Sequence, residues 1–324
     1  MSKKLWQPSL IVKKNSNLFA FENYISKKLK IKFNRNYKKL LNWSIKNSPE
    51  FWSRFWDFSK IKGIKSNKNF RKSKTFYKNL FLPGSRLNFG ENLLSKNNNE
   101  KAVTFISENG FREERSWRQL NLNTNKISKF LKKINIKKGD RVAAYMPNTI
   151  ETVEAFIATT SLGGIWSSCS PDFGSKGVIE RFSQINPKVL FITDQYFYNG
   201  KKIDILNRLP EILKLIPSIK SVVISNYPGK KFIKNKYKFK KINLFKWNEL
   251  MQTNAEKIDF KRFDFETELA ILYSSGTTGK PKCICHRSGG VLIQHMKEHQ
   301  LHCNIKENDN VFYFTTCGWM MWNW

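Results

Sequence analysis

Apolar and polar positions alternate along the middle of the chain with two periods, one typical of strands and one typical of helices. Short β-branched or apolar runs predict strands, and longer segments with apolar residues three or four positions apart predict helices. The intervening residues are rich in Asn, Gly and Pro, which end regular elements. The predicted strands cover residues 103–107, 111–115, 142–146, 189–193, 221–225, 269–272 and 311–316.

Helices are predicted between these strands. Ser116 and Gln119 match a capping box, the usual start of a helix. The predicted helices run from 116 to about 134, from behind 148 to 163, over 175–185 and near 203–215. Strands that alternate with helices predict an α/β fold with a mostly parallel sheet.

The first 80 residues form a very basic region. They contain 21 Lys and Arg but only three acidic residues. Aromatic residues recur at helical spacing after Ser48-Pro49, so a helix is predicted there with proline in its first turn. A helix that packs its aromatic face on protein is favoured over a platform for single-stranded nucleic acid. We therefore predict an N-terminal extension over residues 1–80, with 60–78 as a connector, and a larger domain over 81–324.

The net charge is extreme. The chain has 58 Lys and Arg against 25 Asp and Glu, a formal charge of +33. Nucleic-acid binding is the class that such a charge suggests. However, Lys outnumbers Arg 46 to 12 and is spread along the whole chain. Sites that bind phosphates bidentately or contact base edges favour Arg instead. A compositional bias is favoured over a specific site, and the alternation over 236–240 predicts a lysine-rich edge strand.

The five cysteines are odd in number and contain no CxxC pair. Free thiols in a reducing compartment, and hence a cytoplasmic protein, are predicted. No apolar run has the length of a membrane span, and no secretory signal is recognisable. His295, His299 and His302 share one helical face; a packed face is favoured there over a zinc site, which remains the alternative.

The segment 273–282 differs in composition from the rest of the chain. It follows the apolar run 269–272 and contains four Ser or Thr hydroxyls, two glycines and two lysines. Glycines allow close approach of the backbone to a ligand, and successive N–H groups in such a loop bind anions. Hydroxyl and ammonium groups add donors and charge. We interpret the loop as a nucleotide-phosphate site formed by Ser274, Ser275, Gly276, Thr277, Thr278, Gly279 and Lys282.

This loop is not a Walker A motif. Two residues separate its glycines where Walker A has four, and Pro281 follows Lys280 where Ser or Thr would open a helix. A polar surface turn is the alternative interpretation. Ten suitable residues directly after a buried strand favour the phosphate site.

The same ten residues resemble the phosphate-binding signature of the adenylate-forming superfamily, which includes acyl-CoA synthetases, luciferases and peptide-synthetase adenylation domains. Residues 314–323 (FTTCGWMMWN) resemble the second core motif of this superfamily as acetoacetyl-CoA synthetases carry it. Segments 168–174 (SCSPDFG) and 83–92 (PGSRLNFGEN) are similar to further segments of those enzymes. The resemblance runs from about residue 36 to the end of the chain.

The resemblance implies an acid–thiol ligase that joins a carboxylic acid to coenzyme A through an acyl-adenylate. It implies the front part of the large N-terminal domain of such enzymes, with layered α/β sheets, and ATP, Mg²⁺ and coenzyme A as cofactors. Acetoacetate is the implied acid, and acetate, propionate or another short acid are the alternatives. Its partners would be these small molecules, with no specific nucleic acid and no membrane span. An inactive remnant or a basic nucleic-acid-binding protein is the alternative from another class.

Further site residues follow from the same resemblance. Trp319, Met320, Met321 and Trp322 would form one wall near the acyl group, with simple core packing as the alternative. Tyr198, Lys201 and Lys202 occupy the place of an Arg-rich turn that contacts the nucleotide end of CoA in acetyl-CoA synthetases. Tyr198 replaces the first Arg, so only the lysines would meet a phosphate, and a solvated loop is the alternative.

Adenylate-forming enzymes run to about twice this length. The resemblance implies that the catalytic lysine, the ribose- and adenine-binding motifs and the magnesium-binding acid belong to a second half. We therefore expect a fragment with no catalytic residue and no metal ligand of its own, inactive by itself.

Overall fold

The structure is a computed structural model that describes residues 5–231, 238–254, 258–274 and 279–324. The chain packs into two compact units, each made of two segments. One unit comprises Met1–Leu87 and Gly289–Tyr313, and the other comprises Asn88–Ser288 and Phe314–Trp324. No helix within the described ranges has both the length and the apolar character that a membrane crossing requires.

The first segment of the first unit is mainly helical. Its elements are α1 (Leu10–Lys14), α2 (Asn17–Leu29), α3 (Tyr37–Lys46), α4 (Ser48–Phe58), β1 (Gly63–Ile64), β2 (Phe70–Arg71), a 3₁₀ turn (Phe76–Lys78), β3 (Leu80–Phe81) and β4 (Arg86–Leu87). The predicted helix after Ser48-Pro49 is confirmed as α4, with Pro49 in its first turn. The predicted connector over 60–78 contains the short strands β1 and β2.

The aromatic face of α4 packs against α2 within this unit. The rings of Phe51 and Phe55 each lie 5.6 Å from the ring of Phe21 and nearly perpendicular to it, and the ring of Phe58 lies 5.1 Å away. Edge-to-face pairs of this kind suit the quadrupoles of aromatic rings. The aromatic residues that recur at helical spacing therefore pack on protein, as predicted from the sequence.

The second unit is built from alternating helices and strands. Its elements are α5 (Phe89–Leu93), β5 (Lys101–Ile106), β6 (Arg112–Ser116), α6 (Trp117–Lys133), β7 (Arg141–Tyr145), α7 (Ile150–Ser161), β8 (Ile165–Cys169), α8 (Ser175–Ile185), β9 (Val189–Thr193), β10 (Gln195–Tyr198), β11 (Lys201–Asp204), a 3₁₀ turn (Leu206–Arg208), α9 (Leu209–Leu215), β12 (Ser221–Ser225), β13 (Asn243–Lys246), α10 (Trp247–Met251), β14 (Phe263–Asp264), β15 (Glu268–Tyr273) and β16 (Cys283–Arg287). After it come α11 (Ser288–Lys297), a π-helical turn (Glu298–His302) and α12 (Met320–Asn323).

Seven of these strands form the central sheet of the second unit, in the order β13-β12-β9-β7-β8-β15-β16. Neighbours are parallel except β16, which is antiparallel to β15. Every residue of β8, β9 and β12 is buried, as in parallel sheets with both faces covered. Because β7 has β8 on one side and β9 on the other, the winding direction reverses at β7. Ligands of such sheets bind at the carboxyl ends of strands near that reversal.

Most predicted elements of this unit are confirmed, including the capping box of Ser116 and Gln119 at the start of α6. The helix predicted near 203–215 is shorter, because residues 201–204 pair with 195–198 in a hairpin. Its turn, Asn199-Gly200, has φ values of 51° and 72°, which these two residue types tolerate. The helix α9 therefore begins only at Leu209.

Two predicted strands are wrong. Residues 311–316 have no strand pairing within the described part of the chain, and neither have Lys238 and Lys240 of the predicted edge strand. Lys236 and Tyr237 lie outside the described residues. The edge strand on that side of the sheet is β13, a few residues later. Both segments have strand-like composition, but a strand also requires a hydrogen-bonding partner.

All five cysteines are free, as predicted, and Cys169 and Cys317 are buried. The histidine face lies on α11 and the π-helical turn, where the rings of His295 and His299 are 6.4 Å apart. No group of three or more His, Cys, Asp or Glu side chains in the described ranges is arranged to hold a metal ion.

A buried carboxylate cluster joins β6 to α7. Arg115 donates to Glu113 at 2.6 Å, and its guanidinium lies 3.5 Å from Glu154 and 3.8 Å from Glu151. Asn123 also donates to Glu154, at 2.8 Å. One arginine faces three carboxylates, and Oε2 of Glu154 has no hydrogen-bond partner among the described residues. Burial, reinforced by the charge of Glu151, raises the pKa of Glu154 to about 8.

This cluster predicts a pH-dependent stability. Below pH 8 the folded protein keeps a proton on Glu154, whereas the unfolded chain releases it near the ordinary pKa of 4.5. Stability therefore falls as the pH rises from about 5 through 8, by roughly 5 kcal/mol at most from this group. Burial also raises the pKa of Glu151, which adds a slope of the same sign. Glu154→Gln should therefore make the slope clearly smaller in denaturant titrations at pH 5, 7 and 9. Glu211→Gln, on an exposed position of α9, is the control; equal slopes in the Glu154 variant and the wild type would contradict the prediction.

Candidate functional site

The second core motif lies at the carboxyl ends of β7 and β8. Cys317 donates its thiol proton to the Met146 carbonyl at 2.7 Å, directly after β7. Its own carbonyl accepts from the Ser168 hydroxyl at 2.6 Å, near the end of β8. These buried contacts bring residues 149 or more apart in sequence to the edge of the sheet where ligands bind in α/β folds.

Neither buried thiol near this edge is a nucleophile. Burial raises the pKa of Cys169 to about 12 and the pKa of Cys317 well above its ordinary value. Since the thiolate is the reactive form, both stay protonated and unreactive at neutral pH. Cys317 acts here as a hydrogen-bond donor.

The four predicted wall residues occupy two different environments. Trp322 donates from Nε1 to the Asn148 side chain at 2.7 Å, and its ring meets Phe156 edge-on at 5.7 Å. Trp319 and Met320 are 64% and 56% exposed. Met321 is half-buried. Trp322 is also half-buried, so none of the four belongs to the buried core. Their assignment as an acyl-group wall stays a prediction.

The ends of the predicted phosphate loop lie at the same edge of the sheet. Tyr273 and Cys283 are paired across β15 and β16, and the Ser274 amide then donates to the Lys282 carbonyl at 3.0 Å. From α8, Gln184 donates to the Pro281 carbonyl at 2.9 Å. The loop is thus closed at its base, as a hairpin is.

The interior of that loop includes Ser275, Gly276, Thr277 and Thr278, which lie outside the described residues. Gly279 has a φ of +149°, a conformation that glycine adopts far more readily than other residues. Among the described residues, none lies within 4 Å of a Cβ added there. Lys280 and Lys282 are exposed. The described ends suit a polyphosphate because they combine a glycine, which adopts unusual backbone geometry, with two exposed ammonium groups.

A third segment at this edge, residues 170–174, is held by two side chains to which the sequence assigned no role. Arg208 donates from Nη1 to the carbonyls of Pro171 and Phe173, at 3.0 and 2.9 Å. The Tyr145 hydroxyl donates to the same Phe173 carbonyl at 2.5 Å and contacts Arg208. Burial raises the pKa of Tyr145, although Arg208 opposes that shift. The SPDFG resemblance marked this segment, but no sequence signal linked it to Arg208, 37 residues from Pro171.

The predicted CoA contact lies on the β10–β11 hairpin. Tyr198 is 60% exposed, and Lys201 and Lys202 are also exposed. The amides of Asn199 and Gly200 in its turn donate to the carboxylate of Glu108, at 2.8 and 2.9 Å. A carboxylate therefore already occupies the backbone anion site, and a CoA phosphate would meet the lysine ammonium groups. The three residues stay a predicted contact.

The sequence and the fold of this chain are similar to those of known proteins. The family model described as AMP-binding enzyme matches residues 92–323. The acetoacetyl-CoA synthetase of Xenopus tropicalis is 39% identical over 336 residues, and that of Rhizobium meliloti (strain 1021) is 38% identical over 320 residues. These matches cover 100% and 99% of this chain and 49% and 48% of those proteins. The structure of acetoacetyl-CoA synthetase from Streptomyces lividans superimposes with a TM-score of 0.91 at 29% identity, covering 99% of this chain and 49% of that one.

The chain belongs to the AMP-binding enzyme family, since the family model matches well over half of its residues. Its relatives in that family include acetoacetyl-CoA synthetases. The chain spans about half the length of these curated relatives. The α/β fold inferred from the sequence is confirmed, and it corresponds to a part of the solved synthetase.

Proposed function

We propose that the protein carrying this chain is an AMP-forming acid–thiol ligase that joins acetoacetate to coenzyme A. The observation that carries the proposal is the match of essentially the whole chain to acetoacetyl-CoA synthetases, with the phosphate loop and the second core motif at one edge of the sheet. The five free cysteines support a cytoplasmic location. Residues 81–324 would contain the front part of the adenylation domain.

The reaction replaces the poor leaving group of the acid, oxide, by a good one, AMP. A carboxylate oxygen attacks the α-phosphorus of ATP, the bond to pyrophosphate breaks, and an acyl-adenylate forms. The CoA thiolate then attacks the acyl carbonyl and AMP leaves. Catalysis of the first half rests mainly on alignment and on stabilisation of charge at the phosphates.

In this proposal Ser274–Thr278 hold the β- and γ-phosphates through backbone amides and hydroxyls, and Lys282 supports the loop electrostatically. Magnesium would neutralise phosphate charge when bound. The hydrogen bond from the Ser274 amide to the Lys282 carbonyl closes the base of the loop, which supports its assignment as one binding loop. Trp319, Met320, Met321 and Trp322 would line the acyl side, and Lys201 and Lys202 would meet a CoA phosphate.

The test is carboxylate-dependent ATP–pyrophosphate exchange by the complete gene product. Acetoacetate, acetate, propionate and butyrate are compared over the same series of concentrations. We expect exchange to saturate at a lower concentration with acetoacetate than with the other acids. Exchange that is equally good with acetate would favour the alternative of a general short-acid ligase. No exchange with any acid would overturn the ligase assignment.

A further inference from the structure

The side chain of Arg181 contacts two aromatic rings, those of Phe173 and Tyr273, near the carboxyl ends of the parallel strands. The Arg181 guanidinium, on α8, is 4.2 Å from the ring centre of Phe173 and 5.7 Å from that of Tyr273. Its Nη1 donates to the Gly177 carbonyl one turn earlier, at 2.8 Å, which orients the group. Guanidinium groups bind aromatic faces by cation–π attraction, and more strongly when partly buried, as Arg181 is.

Phe173 connects this cation to the second core motif. A Cβ added to Gly318 would lie 2.7 Å from Cε2 of Phe173 and 3.0 Å from the Ser170 amide nitrogen, so the ring rests directly on the Gly318 backbone. The carbonyl of Phe173 is held by Arg208 and Tyr145. The Phe173 ring thus contacts both the Gly318 backbone and the Arg181 guanidinium.

Tyr273 connects the same cation to the phosphate loop. It is the last residue of β15, and the Ser274 amide that follows it makes the bond to Lys282 that closes the loop. The Tyr273 hydroxyl lies 3.0 Å from Ser167 Oγ on β8. The ring is therefore fixed at its tip by β8 and at its face by Arg181.

We propose that Arg181 is a positioning residue for the ligase reaction, in which it sets the separation between the phosphate loop and the second core motif through Tyr273 and Phe173. This inference rests on the proposed function. The carboxylate must attack the α-phosphorus in line with the departing pyrophosphate. The second core motif would hold the acid, and the phosphate loop would hold the β- and γ-phosphates that leave as pyrophosphate. Because a misplacement of about 1 Å can lower a rate roughly 100-fold, a contact between the two supports matters for turnover.

The test compares Arg181→Met and Arg181→Lys with the wild type in the complete gene product. Arg181→Met removes the charge and should lower kcat of ATP–pyrophosphate exchange about tenfold, with a smaller change in KM for the acid. Arg181→Lys keeps a cation over the rings and should recover most of that loss. A purely structural role would instead lower the melting temperature without this recovery of kcat.

The matched control is Arg141→Met. Arg141 is also half-buried and donates to main-chain carbonyls, at 2.7 Å to Ile185 and 3.2 Å to Gly139, but it begins β7 at the opposite edge of the sheet. We expect its loss to leave kcat unchanged. Equal kcat losses in the Arg141 and Arg181 variants, or wild-type kcat in Arg181→Met, would overturn the proposal.

A second readout separates this inference from the ligase assignment. Amide hydrogen exchange of peptides covering 170–174, 268–274 and 314–319 should become faster in Arg181→Met than in Arg181→Lys, whether or not the protein turns over. Unchanged exchange in all three peptides would overturn the positioning role. Faster exchange in a protein without ligase activity would support the physical coupling and reject the proposed reaction instead.

Discussion

Replacing Thr277 and Thr278 together by alanine should suppress carboxylate-dependent ATP–pyrophosphate exchange by about 100-fold or more. Loss of a single preorganised donor to developing charge typically lowers kcat by roughly 100- to 1,000-fold. Both hydroxyls follow Gly276 in a loop whose base is closed by the Ser274–Lys282 bond. The double variant should keep that base, so we expect an unchanged melting temperature with lost exchange.

The control for this prediction is Ser73→Ala with Thr75→Ala, which removes two hydroxyls from a loop of the other unit. There the Ser73 hydroxyl accepts from the Thr75 amide at 3.3 Å, a local bond without a proposed ligand. This control should retain exchange. If the Thr277/Thr278 variant retained exchange as well, the loop would not be the phosphate site, and the polar surface turn would be the better interpretation.

Gly318→Ala should lower kcat of the same exchange reaction by about 100-fold. The new Cβ would lie 2.7 Å from the Phe173 ring and 3.0 Å from a backbone nitrogen, closer than real side chains pack. Arg208 and Tyr145 both donate to the Phe173 carbonyl, so the main chain of residues 170–174 resists displacement. The second core motif must therefore move, and a shift of about 1 Å can have this effect on rate. Overpacking should also lower stability by roughly 1–3 kcal/mol.

Gly290→Ala provides the comparison for Gly318→Ala. Gly290 lies in α11, and no described residue lies within 4 Å of a Cβ added there. Alanine should be tolerated there, since it favours helix by up to about 1 kcal/mol over glycine. Wild-type kcat in Gly318→Ala would mean that residues 170–174 move readily, which would also weaken the case for Arg181.

Elements with a strong local pattern were predictable from the sequence. Residues 175–185, 189–193 and 221–225 form α8, β9 and β12 with the predicted bounds. Strands buried on both faces appear in the sequence as continuous apolar runs, and the helix before β9 ends clearly at Asn186-Pro187. The capping box at Ser116 is equally local, because both of its hydrogen bonds lie within three residues.

Elements that depend on a distant partner were not predictable in this way. Residues 311–316 are apolar enough for a strand, but strand pairing requires a neighbour that local composition does not specify. The helix predicted near 203–215 is shorter for the same reason. Residues 201–204 pair with 195–198 as a strand of the hairpin, and local composition did not specify that partner.

The sequence by itself determined the α/β class, the phosphate-loop composition and the family resemblance, because each depends on neighbouring residues and their order. Only the tertiary structure decided that Cys317 bonds to Met146 and that Arg208 holds residues 171–173. It alone placed Arg181 between Phe173 and Tyr273. These contacts join residues up to 171 positions apart, and no local periodicity or motif encodes which side chains the sheet will bring to one edge.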